Sequence, residues 1–339
     1  MKPKYTFLLS LTFLFLFSGS VYGDDFQDGV DAHNRKDYKE AVRLFLPLAE
    51  QGDALAQYNL GWIYFHGQGV PQDYKKAVKW YRLSAEQGYS KAQYNLGSMY
   101  DVGVEVPQDH KEAFRLFSLS AEQGVAESQS NLGSMYATGQ GVPQDYKEAI
   151  KWYRLSAEQG YAEAQYNLGV MYRQGEGVSQ DYNEAIKWYR LSVEQGDALA
   201  QNDLGMMYSN GHGVPKDYKE AVKWLRLSSE QGHSIAQFNL GVMYDNGEGV
   251  PQDYKEAIRL YRLSAEQGDA LGQLNLGAMY YNGNGVLQDY ALAHMWFNLS
   301  SSNGNKDAVG NINFIENKMT PEQLEKAKEM AINWNPTKK

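Results

Sequence analysis

Apolar residues recur along this chain in two alternating runs, each with helical spacing. In residues 125–160, VAESQSNLGSMYATGQGVPQDYKEAIKWYRLSAEQG, the first run holds Leu132, Met135 and Tyr136, and the second Ala149, Trp152, Tyr153 and Leu155. The first run predicts a helix from about Ala126 to Thr138. Gly139 is placed to stop it in the left-handed C′ conformation, and Gly141 and Pro143 shape the loop that follows. Asp145 with Glu148 three residues on makes a capping-box-like start for the second helix, which Gly160 ends. The unit is a helical hairpin, helix A then helix B.

The hairpin returns every 36 residues, with a glycine at Gly61, Gly97, Gly133, Gly169, Gly205, Gly241 and Gly277. One such unit cannot bury its apolar face alone, so tandem copies predict a solenoid. The predicted units are 53–88, 89–124, 125–160, 161–196, 197–232, 233–268 and 269–304. The periodicity predicts one elongated domain. Helix A keeps its leucine (Leu60 to Leu276) and tyrosine (Tyr64 to Tyr280), and helix B its alanine (Ala77 to Ala293); these read as the stacking core. A glycine inside a helix costs about 1 kcal/mol against alanine, so Gly61 and its copies predict a neighbour too close for a side chain. Residues 24–52 carry the helix B pattern after a shortened approach and read as an N-terminal capping repeat. Residues 305–339 read as C-terminal capping helices and a loose tail, with Thr320-Pro321-Glu322-Gln323 as a helix start.

Composition adds the setting. Lys2 and Lys4 precede an apolar stretch, Phe7 to Phe17, too short to span a bilayer, and Val21-Tyr22-Gly23 offers small residues for cleavage. Residues 1–23 are therefore expected to be a signal peptide cut after Gly23, leaving no membrane anchor and a periplasmic or secreted chain. Removing its two lysines takes the formal charge from −9 to −11. An acidic surface without a basic stripe argues against a nucleic-acid partner. There is no cysteine, hence no disulfide and no thiol chemistry.

The unit resembles the Sel-one-like repeat (SLR), a longer-looped relative of the tetratricopeptide repeat. The residues that carry the resemblance are Ala56-Gln57-x-Asn59-Leu60-Gly61-x-x-Tyr64-x-x-Gly67-x-Gly69-Val70, Asp73-Tyr74-x-x-Ala77-x-x-Trp80-Tyr81 and Ala85-Glu86-Gln87-Gly88. They recur to Gly304. Glu105 departs from the pattern at the second loop glycine, Ser179 and Leu287 at the loop proline, and His294 and Met295 in the last helix B. The resemblance implies an all-α fold, a right-handed α/α superhelical solenoid, in a secreted bacterial type of protein.

Function is expected where the units differ. The third, sixth, tenth and thirteenth residues of each unit fall on one face of helix A. In the first unit these are Leu55, Tyr58, Trp62 and Phe65. Lys91, Tyr94 and Asp101 follow in the second, Glu127 in the third, Tyr166 and Arg173 in the fourth, Phe238 and Asp245 in the sixth. By resemblance to tetratricopeptide arrays this face lines a concave groove that holds a protein or peptide. Helix B instead repeats Lys147, Glu148, Lys151, Arg154 and Glu158 with little change and reads as a solvated outer face.

Catalytic groups are not singled out. The six histidines occupy unrelated repeat positions, and His110 reads as a packing variant of a tyrosine; no metal-binding spacing and no phosphate loop occur. Asn298-Leu299-Ser300 is a sequon that matters only in a glycosylating pathway. No cofactor or metal is expected. The leading expectation is a monomeric, extracytoplasmic, non-enzymatic adaptor for an envelope or host protein. Two alternatives stand beside it. Some cysteine-rich secreted SLR proteins bind or hydrolyse β-lactams, but this chain lacks cysteine and any Ser-x-x-Lys. The aromatic end of the groove also suits a glycan or peptidoglycan-binding module.

Overall fold

A computed structural model describes residues 18–334, with side chains from Asp25 onward. Most of the predicted signal peptide and the tail 335–339 lie outside the described residues; residues 18–23 open the first helix.

The described residues are helical, in consecutive hairpins. In the first unit of the fold these are α1 (Ser18–Asn34), α2 (Tyr38–Glu50), α3 (Ala54–His66), α4 (Tyr74–Glu86), α5 (Ser90–Val102), α6 (His110–Glu122), α7 (Ala126–Thr138) and α8 (Tyr146–Glu158). The second holds α9 (Ala162–Gln174), α10 (Tyr182–Glu194), α11 (Ala198–Asn210), α12 (Tyr218–Glu230), α13 (Ser234–Asn246), α14 (Tyr254–Glu266), α15 (Ala270–Asn282) and α16 (Tyr290–Ser302), then α17 (Asp307–Glu316) and α18 (Pro321–Ile332). The contacts gather into two compact units, through Tyr161 and from Ala162. In a solenoid each hairpin is held mainly by its neighbours.

The local signals act as chemistry dictates. Asp73, Asp109, Asp145, Asp181, Asp217, Asp253 and Asp289 each accept from backbone N–H groups of the helix B they open. Helix A is capped this way where an aspartate precedes it, at Asp53, Asp197 and Asp269. Tyr89, Val125 and His233 make no such bond. Gly139 ends α7 at φ +76°, the left-handed turn that an L side chain resists.

Two side-chain ladders hold the hairpins. Ser84 Oγ donates to the Ala54 carbonyl at 2.7 Å, and Ser120, Ser156, Ser192, Ser228 and Ser300 repeat that bond. Gln87 donates to the Gln57 side chain at 2.8 Å, while Gln57 donates to the Ala49 carbonyl of the preceding hairpin. The same amide pair joins Gln123 to Gln93, Gln159 to Gln129, Gln195 to Gln165, Gln231 to Gln201 and Gln267 to Gln237. These buried polar groups are satisfied by one another, which fixes the stagger of helix A on helix B.

All the helix A glycines of the repeats but one face an aromatic ring; Gly205 meets Leu225 instead. A Cβ on Gly61 would stand 2.6 Å from the fully buried Tyr81 ring, and Gly97, Gly133, Gly169, Gly241 and Gly277 meet Phe117, Tyr153, Tyr189, Tyr261 and Phe297 in the same way. Gly29 does so against Phe45, so the first hairpin packs like the rest. The leucines and alanines of the repeat are buried, as the core reading requires. Its tyrosines are a partial exception: Tyr64, Tyr100, Tyr136, Tyr208 and Tyr244 are half-buried. Their hydroxyls reach the surface, where Arg82, Arg190 and Arg226 donate to Tyr100, Tyr208 and Tyr244 at 2.8–2.9 Å. On helix B, Lys151 pairs with Glu148 at 3.1 Å and Arg115 with Glu112 at 2.7 Å, exposed pairs worth a few tenths of a kcal/mol.

At the C-terminal end α18 opens with the full capping box, Thr320 with Gln323, and Pro321 in the first turn. α17 and α18 pack on α16, where Trp334 meets Trp296 edge-on at 4.7 Å. Buried His294 bonds Glu316 at 3.1 Å and contacts the Asn298 amide, so the sequon asparagine is half-buried.

Candidate functional site

The face of helix A divides into positions that stay in solvent and positions that lean inward. Leu55 is 41% exposed, and Lys91 and Glu127 are exposed as well. The sixth-position rings are half-buried, because each packs on the ring that covers the helix A glycine. Tyr58 lies 6.0 Å from Tyr81, Tyr94 6.1 Å from Phe117, Tyr166 5.8 Å from Tyr189 and Phe238 6.0 Å from Tyr261. Part of this aromatic stripe is therefore structural.

In the first unit of the fold the stripe opens into a cavity of about 320 Å³. Tyr58, Trp62 and Phe65 of α3 and Tyr94 of α5 line it, together with His66, Asn95 and Ser98. Trp62 is held from behind by His33 of α1 at 4.9 Å and from its own helix by His66 at 4.4 Å. Tyr58 also meets Tyr89 edge-on at 5.0 Å. Burial pushes the Tyr58 and Tyr81 phenols up from their ordinary range, against a smaller lowering influence of the Asn95 amide. Asp101, expected on the groove face, is paired: its Oδ1 lies 2.8 Å from His110 Nδ1. His110 is thus the partner of a groove residue as well as a replacement for tyrosine.

In the second unit of the fold the same face is built differently. Arg173 Nε donates to the Tyr189 hydroxyl at 3.1 Å, and that hydroxyl donates to Asp203 Oδ2 at 3.3 Å. The Arg173 guanidinium stands 3.8 Å from the same carboxylate. Asn202 donates to Asp203 Oδ1 at 3.0 Å and accepts from Asn239 at 3.0 Å. Burial, reinforced by the Asp203 charge and opposed by Arg173, pushes the Tyr166 phenol up to about 12. His233 is held below its ordinary value by burial, against the pull of Asp203 and Asp197. Further along, Tyr261 donates to Asp245 at 3.1 Å.

Sequence reasoning on the variable positions left out Asp203, His66, His33 and Asn95. Asp203 had a signal: it stands where Asn59, Asn95, Asn131, Asn167, Asn239 and Asn275 stand in the other units. Among the described residues no cluster of three or more histidines and acids is disposed to hold a metal ion, and no helix is long and apolar enough to cross a membrane.

The Sel1 repeat family matches residues 26–53, 54–89, 90–125, 126–161, 162–197, 198–233, 234–269 and 270–305. A protective antigen present in uropathogenic Escherichia coli strains, displaying an SLR fold, superposes with a TM-score of 0.88 at 38% identity. That match covers 91% of this chain and 68% of the other. A Sel1 repeat protein from Oxalobacter formigenes gives 0.66 at 31% identity, over 71% of this chain and 96% of its own. No curated protein matches the chain.

Proposed function

The chain belongs to the Sel1 repeat family, and from that membership we propose that it is an extracytoplasmic adaptor that binds a protein or peptide along helix A. Sel1 repeat arrays are scaffolds for protein–protein interaction and are generally not enzymes. The observation that carries the reading is the contrast between the two helix faces. Helix B repeats the same exposed ion pairs from unit to unit, while helix A carries an aromatic cavity in one unit of the fold and the Arg173–Asp203 pair in the other. Aromatic side chains around a pocket are the usual anchors of an interface.

The extracytoplasmic setting rests on the leader pattern of residues 1–23 and on likeness to a bacterial protective antigen. It makes a host or envelope protein the partner class. Sequencing the N-terminus of the exported protein tests the setting: Asp24 as first residue supports it, and an intact Met1 in a protein retained in the cytoplasm removes it.

The face is tested with the exposed residues, whose replacement leaves the core alone. Leu55→Ser, Lys91→Glu and Glu127→Lys together are expected to weaken a captured partner about ten-fold or more. Lys147→Glu with Lys219→Glu on helix B is expected to change little. The reverse pattern would transfer binding to the outer face and end this reading.

A further inference from the structure

The cavity of the first unit of the fold has a definite electrostatic character. Its walls include the rings of Tyr58, Trp62, Phe65 and Tyr94, with His66 and the apolar Met99, Val102 and Val104 beside them, and no lysine or arginine lines it. Aromatic faces carry a negative quadrupole that attracts a cation, most strongly when the cation is desolvated. Elsewhere the chain supplies such cations itself: Lys79 lies 4.6 Å from the Trp80 ring centre, Lys223 4.8 Å from Trp224, and Lys76 4.8 Å from Tyr64. Trp62 has imidazoles beside it instead. Glu127 of α7 is an exposed acid at the third position of its unit, on the same face of helix A. Asp101 lies on the same face, but its carboxylate is paired with His110. Lys91 is ten residues before Asp101 on α5, about 15 Å along the helix. The volume is at the small end for ligand pockets, which suits one side chain better than a whole ligand.

We propose that this cavity takes the cationic side chain, arginine or lysine, of a partner peptide lying along helix A, with Tyr58, Trp62, Phe65 and Tyr94 around the cation and Glu127 as counter-charge. The inference rests on the scaffold reading and names the chemistry that its aromatic end selects.

The test uses the protein labelled at its indole nitrogens, with the Trp62 signal assigned by Trp62→Phe. N-acetylarginine amide is titrated in, then N-acetylcitrulline amide, its uncharged isostere, and N-acetylleucine amide. The Trp62 signal should move saturably with the arginine compound, and citrulline should bind about five-fold more weakly, the size of one cation–π contact. Glu127→Gln should weaken arginine binding about two- to three-fold at low salt and leave citrulline unchanged. Equal binding of arginine and citrulline, or tighter binding of leucine, overturns the cationic assignment and leaves the face an apolar anchor for a partner. No movement with any compound overturns the cavity as a ligand site, while the exposed-face variants above still decide the scaffold reading separately.

Discussion

The Arg173 guanidinium stands 3.8 Å from the Asp203 carboxylate, where Asp203 breaks an otherwise constant asparagine and Arg173 fills a position that varies between units. Asparagine fills the position of Asp203 in the other units, where it brings no charge. An acid at this depth, its side chain 19% exposed, gains from a cation, and Arg173 provides it from the preceding hairpin.

Removing Arg173 should therefore cost more than removing the charge it faces. Arg173→Ala is expected to lower stability by about 1 kcal/mol, and Asp203→Asn, which restores the amide, by less. Urea unfolding of the two single variants and the double should give a coupling of about 0.5–1 kcal/mol. A coupling of zero would make the pair incidental.

Gly61→Ala tests the ring contact. Its new methyl falls 2.6 Å from Tyr81, and overpacking of this kind costs about 1–3 kcal/mol, which exceeds the gain in helix propensity. Against a Tyr81→Ala background the same change should be neutral or stabilising. If Gly61→Ala were equally costly in both backgrounds, the ring would not be what excludes the side chain.

Glu105 adopts φ +57° where the other units have glycine in the loop. Left-handed backbone costs an L residue about 1 kcal/mol or more. Glu105→Gly should stabilise the protein by roughly that amount, less the extra freedom glycine gives the unfolded chain. Thermal melting reads the sign directly.

Stability should decline on both sides of neutrality, for opposite reasons. His233 is held below 6.5 in the fold, so the unfolded chain takes up its proton first and stability falls as pH drops below that value. Tyr166 is raised from 10.0 to about 12, and Tyr81, Tyr189 and Tyr261 are raised as well. The unfolded chain loses those protons first, so stability falls as pH rises above 10 and on through the folded value. His233→Gln should flatten the acid limb and leave the alkaline limb, in unfolding curves at about pH 5, 7 and 11.

Most of the fold could be read because each hairpin repeats the same short-range signals. The aspartate caps, the left-handed glycines and the two apolar stripes act within a dozen residues, where spacing is a sound guide. The face of helix A could be read from its spacing, but not the depth of its residues. Tyr58 and Tyr94 vary in company with exposed Leu55 and Lys91, yet lean on Tyr81 and Phe117 from helix B, a contact no spacing within helix A records. His33 joins the cavity from the first hairpin, whose helix A glycine, Gly29, lies 32 residues before Gly61 and so falls out of phase with the 36-residue step. Asp203 was visible as a one-letter break, but its meaning depends on Arg173, thirty residues earlier.

The paired glutamines carry a consequence for inheritance. Each rung joins the same two amides at the same interval, and the phrase Leu-Ser-Ala-Glu-Gln-Gly that holds one of them recurs at residues 83–88, 119–124, 155–160 and 263–268. A crossover between any two of these copies removes or adds whole hairpins and returns each junction residue to the kind of neighbour it had before. The gene can change length without a new interface having to be invented, so the number of hairpins on offer to a partner can drift as a count while the fold that displays them stays as it was.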